Sequence, residues 1–323
     1  MTATTIDRLG VLSSVQRVVE LSRYVHVDET AIDSAAPGLA RRVVVPEWDR
    51  SRHRIDATEQ TCNWLLVLDA VNFSFWGDPR WQVDVEGQTL DGYYALVAAL
   101  SRATDEGIPI HDAAYLARLT IDDARRIFRG HNEIPMIDRR VENLNEVGEV
   151  LLDRYEGQFA RAIEEAGGSA TRLVRSLVAS FSYFDDVSEF KGVEVRFYKR
   201  AQLLVSDLYG AFAGESWGRF TDLDQLTAFA DYKLPQVLRR MGILTYLPSL
   251  DEKIEARFLL PAGSREEVEI RAHTVWAVDR LARALNRRGN QIRPFELDWW
   301  LWHEGQRLGP GARKYHRTRT INY

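Results

Sequence analysis

Tyr115-Leu116-Ala117-Arg118-Leu119-Thr120-Ile121-Asp122-Asp123-Ala124-Arg125-Arg126-Ile127-Phe128-Arg129-Gly130 settles the fold class. Its apolar residues Leu116, Leu119, Ile121, Ala124, Ile127 and Phe128 recur near helical spacing, which puts them on one face. Thr120 and Asp123 have the form of a capping box, and Gly130 is a natural helix stop. The same period runs through 141–155, 169–182, 202–212, 225–241 and 266–285, the last with the option of starting as a strand. One stretch keeps the other period. Trp81-Gln82-Val83-Asp84-Val85 alternates, Glu86-Gly87 turns, and Gln88 to Tyr93 follows, which predicts a small β-hairpin near 81–93. Residues 94–103 return to helix. The expectation is a mainly α protein, 1–323 as a single compact domain, with two lobes divided weakly near Gly167-Gly168.

The 323 residues are 45% hydrophobic and 28% charged, ordinary for a soluble globular chain. A net charge of −5 argues against a dedicated binder of long nucleic acid, yet leaves room for a small anion in a local basic pocket. Cys62 is the only cysteine, which excludes an intrachain disulfide and a cysteine zinc site. No secretory signal is expected, and no apolar run approaches the ~18–20 residues of a membrane helix. A cytoplasmic protein follows as the expectation. His53, His111, His131, His273 and His303 show no metal-ligand spacing, and no phosphate loop or nucleophile elbow is present.

Chemistry concentrates in a few words. In Asn63-Trp64-Leu65-Leu66-Val67-Leu68-Asp69-Ala70-Val71-Asn72-Phe73-Ser74-Phe75-Trp76 an apolar run ends in polar groups between aromatics. Such rings can stack on a flat heterocycle while Asp69, Asn72 and Ser74 read its edge. The same pattern also suits a core segment whose polar groups cap their own backbone. Phe197-Tyr198-Lys199-Arg200-Ala201-Gln202 sets two cations at a helix start, where a phosphate or simply water can meet them. In Phe229-Ala230-Asp231-Tyr232-Lys233-Leu234-Pro235 the proline predicts a helix start, with Asp231 as its cap or as a carboxylate facing substrate. Glu267 and Glu269 share a face if 265–271 is extended, either solvated or networked inward with Arg271. The closing basic run Arg313–Arg319 is either solvated or docked through Tyr315 and Tyr323.

Taken in order, NWLLVLDAVNFSFW (63–76), DGYYALVAAL with RATDEGIPI (91–110), FYKRAQ (197–202), FADYKLPQVL (229–238), EVEIR (267–271) and HRTRTINY (316–323) resemble the queuosine salvage proteins, the queuosine 5′-phosphate N-glycosylase/hydrolase family. The resemblance spans roughly residue 10 to 323. It implies a fold similar to helix-hairpin-helix DNA glycosylases, no metal or organic cofactor, and hydrolysis of queuosine 5′-monophosphate to queuine and ribose 5-phosphate. Queuine would then re-enter tRNA through a separate enzyme.

Glycosidic cleavage develops an oxocarbenium-like cation. The resemblance makes Asp231 the carboxylate that meets it, as stabiliser and general base or as nucleophile, ionised at pH 7 with a cation's help. Lys199 either anchors the 5′-phosphate or pairs with Asp231 and tunes it. Tyr198, Arg200, Tyr232, Lys233, His316, Arg317 and Arg319 are further binding candidates. Queuine lacks N7, so help for the leaving base comes from edge contacts, the task implied for Asp69, Asn72 and Ser74 with Phe73, Phe75 or Trp76 stacking. A lysine nucleophile at Lys199 or Lys233 ranks below this reading. So do a glycosylase of damaged DNA, disfavoured by the charge, and a non-catalytic nucleotide sensor.

Overall fold

Helices carry most of the chain, which the computed structural model describes over residues 7–309 and 311–323. The order begins α1 (Val11–Leu21), β1 (Val25–Val27), α2 (Glu29–Ala40), α3 (Glu59–Ala70), β2 (Gln82–Val85), β3 (Gln88–Asp91) and α4 (Gly92–Asp105). It continues α5 (Ala113–Leu116), α6 (Ile121–Ile127), α7 (Ile137–Tyr155), α8 (Phe159–Glu165), α9 (Ala170–Ser180), β4 (Val187–Phe190) and β5 (Val193–Arg196). It closes with α10 (Lys199–Ala211), α11 (Lys233–Arg240), β6 (Leu244–Tyr246), α12 (Pro248–Glu255), α13 (Arg265–Asn286) and α14 (Pro294–Gln306). The strands form three antiparallel pairs, β1–β6, β2–β3 and β4–β5. No helix among the described residues is long and apolar enough to cross a membrane.

Two units emerge, each from several stretches of chain. The first holds the chain to Glu47, Asp186–Gln202 and Asp222–Arg319. The second holds Trp48–Asp185, Leu203–Thr221 and Thr320–Tyr323. Gly167-Gly168 is the turn between α8 and α9 inside the second unit.

The first unit is organised by α13. Its buried positions run almost without a break from Glu267 to Leu285, so it lacks a solvent face over most of its length and is packed by α1, α2, α11, α14 and β1. The Ser264 hydroxyl caps it by accepting from the Glu267 N–H. Farther along, Glu269 Oε2 accepts from the amides of Arg23, Tyr24 and Val25 at 3.0, 2.6 and 3.2 Å, fixing the entry to β1. The extended option for 265–271 is thereby corrected. Val268 and Ile270 alternate with polar residues like a strand, but Glu267, Glu269 and Arg271 between and beside them are buried as well, which a helix packed all round allows where its charged groups find partners. The expected helix over 225–241 is likewise shortened. A 3₁₀ turn at Leu223–Gln225 gives way to irregular backbone, and α11 starts only at Lys233. Pro235 falls in its first turn, where its missing N–H costs no intrahelical hydrogen bond.

The second unit has an equivalent axis in α3, buried at every position from Thr61 to Ala70. Asn63 joins three segments there: its amide donates to the carbonyls of His111 and Gly157 and accepts from the Phe159 N–H at 2.8 Å. The Thr120–Asp123 capping box forms as expected on α6. Glu86 (φ 50°) and Gly87 (φ 79°) make the expected hairpin turn, both in the left-handed region that a two-residue primed turn requires. On α7, a Cβ at Gly148 would stand 2.1 Å from the Ala117 nitrogen, so only glycine lets α7 lie this close to the chain just past α5.

Candidate active site

Each unit buries a polar cluster that includes sequence-predicted site residues. In the first, the backbone turns sharply before α10, with Tyr198 left-handed at φ 48°. Asp186 holds that turn. Its carbonyl accepts from the amides of Phe197 (3.0 Å) and Tyr198 (3.2 Å), and its Oδ2 accepts from the Lys199 amide (3.2 Å). Arg271 of α13 grips the same carboxylate with both terminal nitrogens, at 2.8 and 2.6 Å. The guanidinium also lies 3.9 Å from the Phe197 ring centre, donates to the Ala230 carbonyl at 3.4 Å, and stands 3.8 Å from Glu267 Oε1. The inward network expected around Arg271 is present, built on helical i,i+4 spacing.

Asp231, beside Ala230, is nine-tenths buried. Its Oδ1 accepts from the amides of Lys233 (2.7 Å) and Leu234 (2.9 Å), so the carboxylate does cap α11. No described residue hydrogen-bonds its Oδ2. Burial pushes the carboxyl above its ordinary range; the positive charge of Lys199 and the two amides pull the other way without cancelling it. The expected favouring of the ionised form by a cation is in place through Lys199, with desolvation the larger and opposing influence. A second carboxyl shares the surroundings. Asp298 of α14 accepts from the Phe229 N–H at 2.7 Å, and burial, followed by the negative charge of Asp231, holds it well above the usual carboxylate range.

The other candidates of this unit fall into distinct environments. Lys199 is buried, and Arg200 is only 1% exposed, so neither is a solvated cation at a helix start. Tyr232 packs on Tyr315, ring centres 4.9 Å apart, and Lys233 Nζ lies 5.7 Å from the Tyr315 ring. His316 is buried, and burial with the charges of Arg271 and Arg239 pushes it down to about 3, so it is neutral. Arg317 is half-buried and its carbonyl accepts from the Leu260 amide at 2.9 Å. Arg319 is exposed. The closing basic run is therefore docked through its backbone and Tyr315.

In the second unit α3 ends at Ala70, and 71–76 continue as buried irregular chain. Asn72 donates to Asp69 Oδ1 at 3.2 Å. Ser74 is left-handed at φ 44°; its amide donates to the Tyr323 backbone oxygen (2.9 Å) and its hydroxyl to the Thr320 carbonyl (2.8 Å). Arg140 donates to the carbonyls of Val71, Phe73 (2.5 Å) and Pro135 (3.0 Å), and its guanidinium lies 4.3 Å from the Phe73 ring and 5.3 Å from that of Phe75. Trp76 is buried at the end of the stretch. One face of Phe73 thus belongs to Arg140, and the Ser74 side chain is spent on the main chain.

Residues distant in sequence complete this second cluster. His53 Nδ1 faces the Asp49 carbonyl at 2.5 Å, which assigns the ring proton there and leaves Nε2 to accept from the Tyr93 hydroxyl at 2.8 Å. Burial holds His53 down at about 4. The Trp48 indole donates to Asp207 Oδ1 at 3.0 Å. The Tyr93 hydroxyl is kept protonated by burial, then by the negative charges of Asp207 and Asp69. Tyr93, Asp207, Asp186 and Asp298 were not among the sequence's site candidates, and His53 was read there only as an ordinary histidine. Among the described residues no group of three or more His, Cys, Asp or Glu side chains is placed to hold a metal ion.

These features define a mainly helical protein with a buried carboxylate, Asp231, under the electrostatic influence of a buried lysine, Lys199. The chain belongs to the queuosine salvage protein family, whose sequence model matches residues 52–323. It is 52% identical over 318 residues to the queuosine 5′-phosphate N-glycosylase/hydrolase of Sphaerobacter thermophilus, covering 98% of each chain. It is 37% identical to the protein of the same name from Bos taurus, covering 96% of this chain and 97% of that one. The Schizosaccharomyces pombe protein so named is 31% identical, over 84% and 81% respectively.

Proposed function

We propose that this chain hydrolyses the N-glycosidic bond of queuosine 5′-monophosphate, releasing queuine for return to tRNA and ribose 5-phosphate. The shared name of its relatives over nearly the full length supports the substrate. The observation that carries the chemistry is Asp231. One carboxylate oxygen is fixed by two amides, the other takes no hydrogen bond from a described residue, and burial raises the group above its ordinary value. A base tuned upward accepts a proton from water more readily, while its negative form stabilises the oxocarbenium-like sugar. Water is the sole co-reactant.

Lys199 is assigned to the phosphate end of the substrate and to tuning Asp231, with Tyr198, Arg200, Tyr232, Lys233, His316 and Arg317 as supporting groups. His316, being neutral, would serve as a hydrogen-bonding group rather than a cation. The 69–76 segment is assigned to the base: the Asp69–Asn72 pair reads polar edges, and Trp76 is the preferred stacking ring because Arg140 occupies Phe73. We also assign 1–323 to one functional domain of helix-hairpin-helix glycosylase type, supported by its helical content. We place it in the cytoplasm, where tRNA is modified, without a stable nucleic-acid complex, in keeping with its charge of −5. Incubation with queuosine 5′-monophosphate should release free queuine, detected by mass; unchanged substrate rejects the assignment.

A further inference from the structure

We infer that Arg271 is a positioning residue for this reaction, acting with Asp186 to fix Lys199 and Asp231 against each other. The inference rests on the proposed hydrolysis and concerns how its two central groups keep their places. Lys199 follows a left-handed residue, Tyr198, and Asp231 follows irregular backbone, so neither is held by a regular element on its N-terminal side. Left-handed backbone at a tyrosine is maintained only by surroundings that over-determine it.

One guanidinium reaches both segments. Through Asp186 it controls the turn that carries Lys199, since the same carboxylate that takes the bidentate contact also accepts the Lys199 amide. The Asp186 carbonyl takes the amides of Phe197 and Tyr198, and the Phe197 ring covers the guanidinium face. Through Nε it reaches the Ala230 carbonyl, one residue before Asp231. Arg271 is only 1% exposed, and it is anchored on α13, the most deeply packed helix of its unit. Structural ion pairs usually join two elements; this one joins the two backbone segments that present the proposed chemistry. Only a planar fork can do this, because the two contacts to Asp186 and the one to Ala230 leave in fixed, divergent directions.

The test compares Arg271→Lys and Phe197→Leu with the wild-type chain, scored per folded molecule. Lysine keeps the charge and loses the fork. Leucine keeps every charge and loosens the guanidinium, and it serves as the reading arm if Arg271→Lys fails to accumulate folded protein. We expect kcat for queuine release to fall about 10- to 100-fold in Arg271→Lys and about 3- to 10-fold in Phe197→Leu, the range for residues that orient reacting groups. KM should stay within about threefold in both, since uniform binding is untouched. Wild-type kcat per folded molecule in the folded variants, or a loss shared equally by kcat and KM, overturns the inference and leaves the hydrolysis intact. An inactive wild-type chain overturns both.

Discussion

The two buried clusters use their charges in opposite ways. In the first unit cations stand against carboxylates: Arg271 on Asp186 and Glu267, Lys199 acting on Asp231 and Asp298. In the second, Arg140 directs its donors at backbone carbonyls and its face at aromatic rings, while Asp69 and Asp207 accept from neutral groups, Asn72 and Trp48. In the function we propose, the first arrangement serves the reaction centre where charge appears and the second the recognition of a flat ring with a polar edge. Burial is nearly the same in both, so the partner of each charged group, rather than its depth, separates the two kinds of chemistry.

The comparison breaks most visibly at Asp231. Asp231→Asn keeps an acceptor for the Lys233 and Leu234 amides and removes the charge. Single-turnover queuine release should fall by about 10³-fold or more, with substrate binding retained by calorimetry. Near-normal hydrolysis would sink the assignment. Lys199→Ala should lose about 100-fold on the 5′-monophosphate and about tenfold less on the nucleoside; equal losses on both would remove the phosphate from its role.

Much of this was legible beforehand, for a physical reason. Helices with an exposed side, such as α6, α7 and α9, write their period into the sequence because one face must be polar. The Glu86-Gly87 turn is readable because its backbone angles select glycine. Helix α13 misled at its start because a helix with no wet face has no polar stripe to betray its period. Asp231 and Lys199 were reached through the family words, whereas Asp186 and Asp298 were not. Each stands near other acids, Asp186 beside Asp185 and Asp298 two residues after Glu296, and nothing local marks it out; its partners lie 85 and 69 residues away, at Arg271 and Phe229. His53 was read as an ordinary histidine because nothing near it in sequence announces Tyr93.

The second unit is tested through Arg140. Arg140→Gln strips donors from the carbonyls that end α3, and unsatisfied buried carbonyls should cost about 2–4 kcal/mol in chemical denaturation. A change below about 0.5 kcal/mol would show that Arg140 does not support the 69–76 segment. The smallest effect sharpens the first unit's side of the comparison. Asp298 has a folded-state value raised above the unfolded one, so its contribution favours the fold at acid pH and is lost as pH rises through the folded value. Asp298→Asn should therefore melt about 1–3 °C above wild type near pH 8, with the gap closing toward pH 4. A gap that widens on acidification would reverse the sign.

Helix α13 carries one further consequence. Arg271 sits between Ile270 and Ala272, both fully buried, on a helix that most of its unit packs against. A laboratory lineage selected for heat resistance by refilling that interior would also rotate or shift the guanidinium. Thermostability and turnover in this protein are therefore not separate traits to be bred one after the other, and variants improved in the first should be screened for drift in the second.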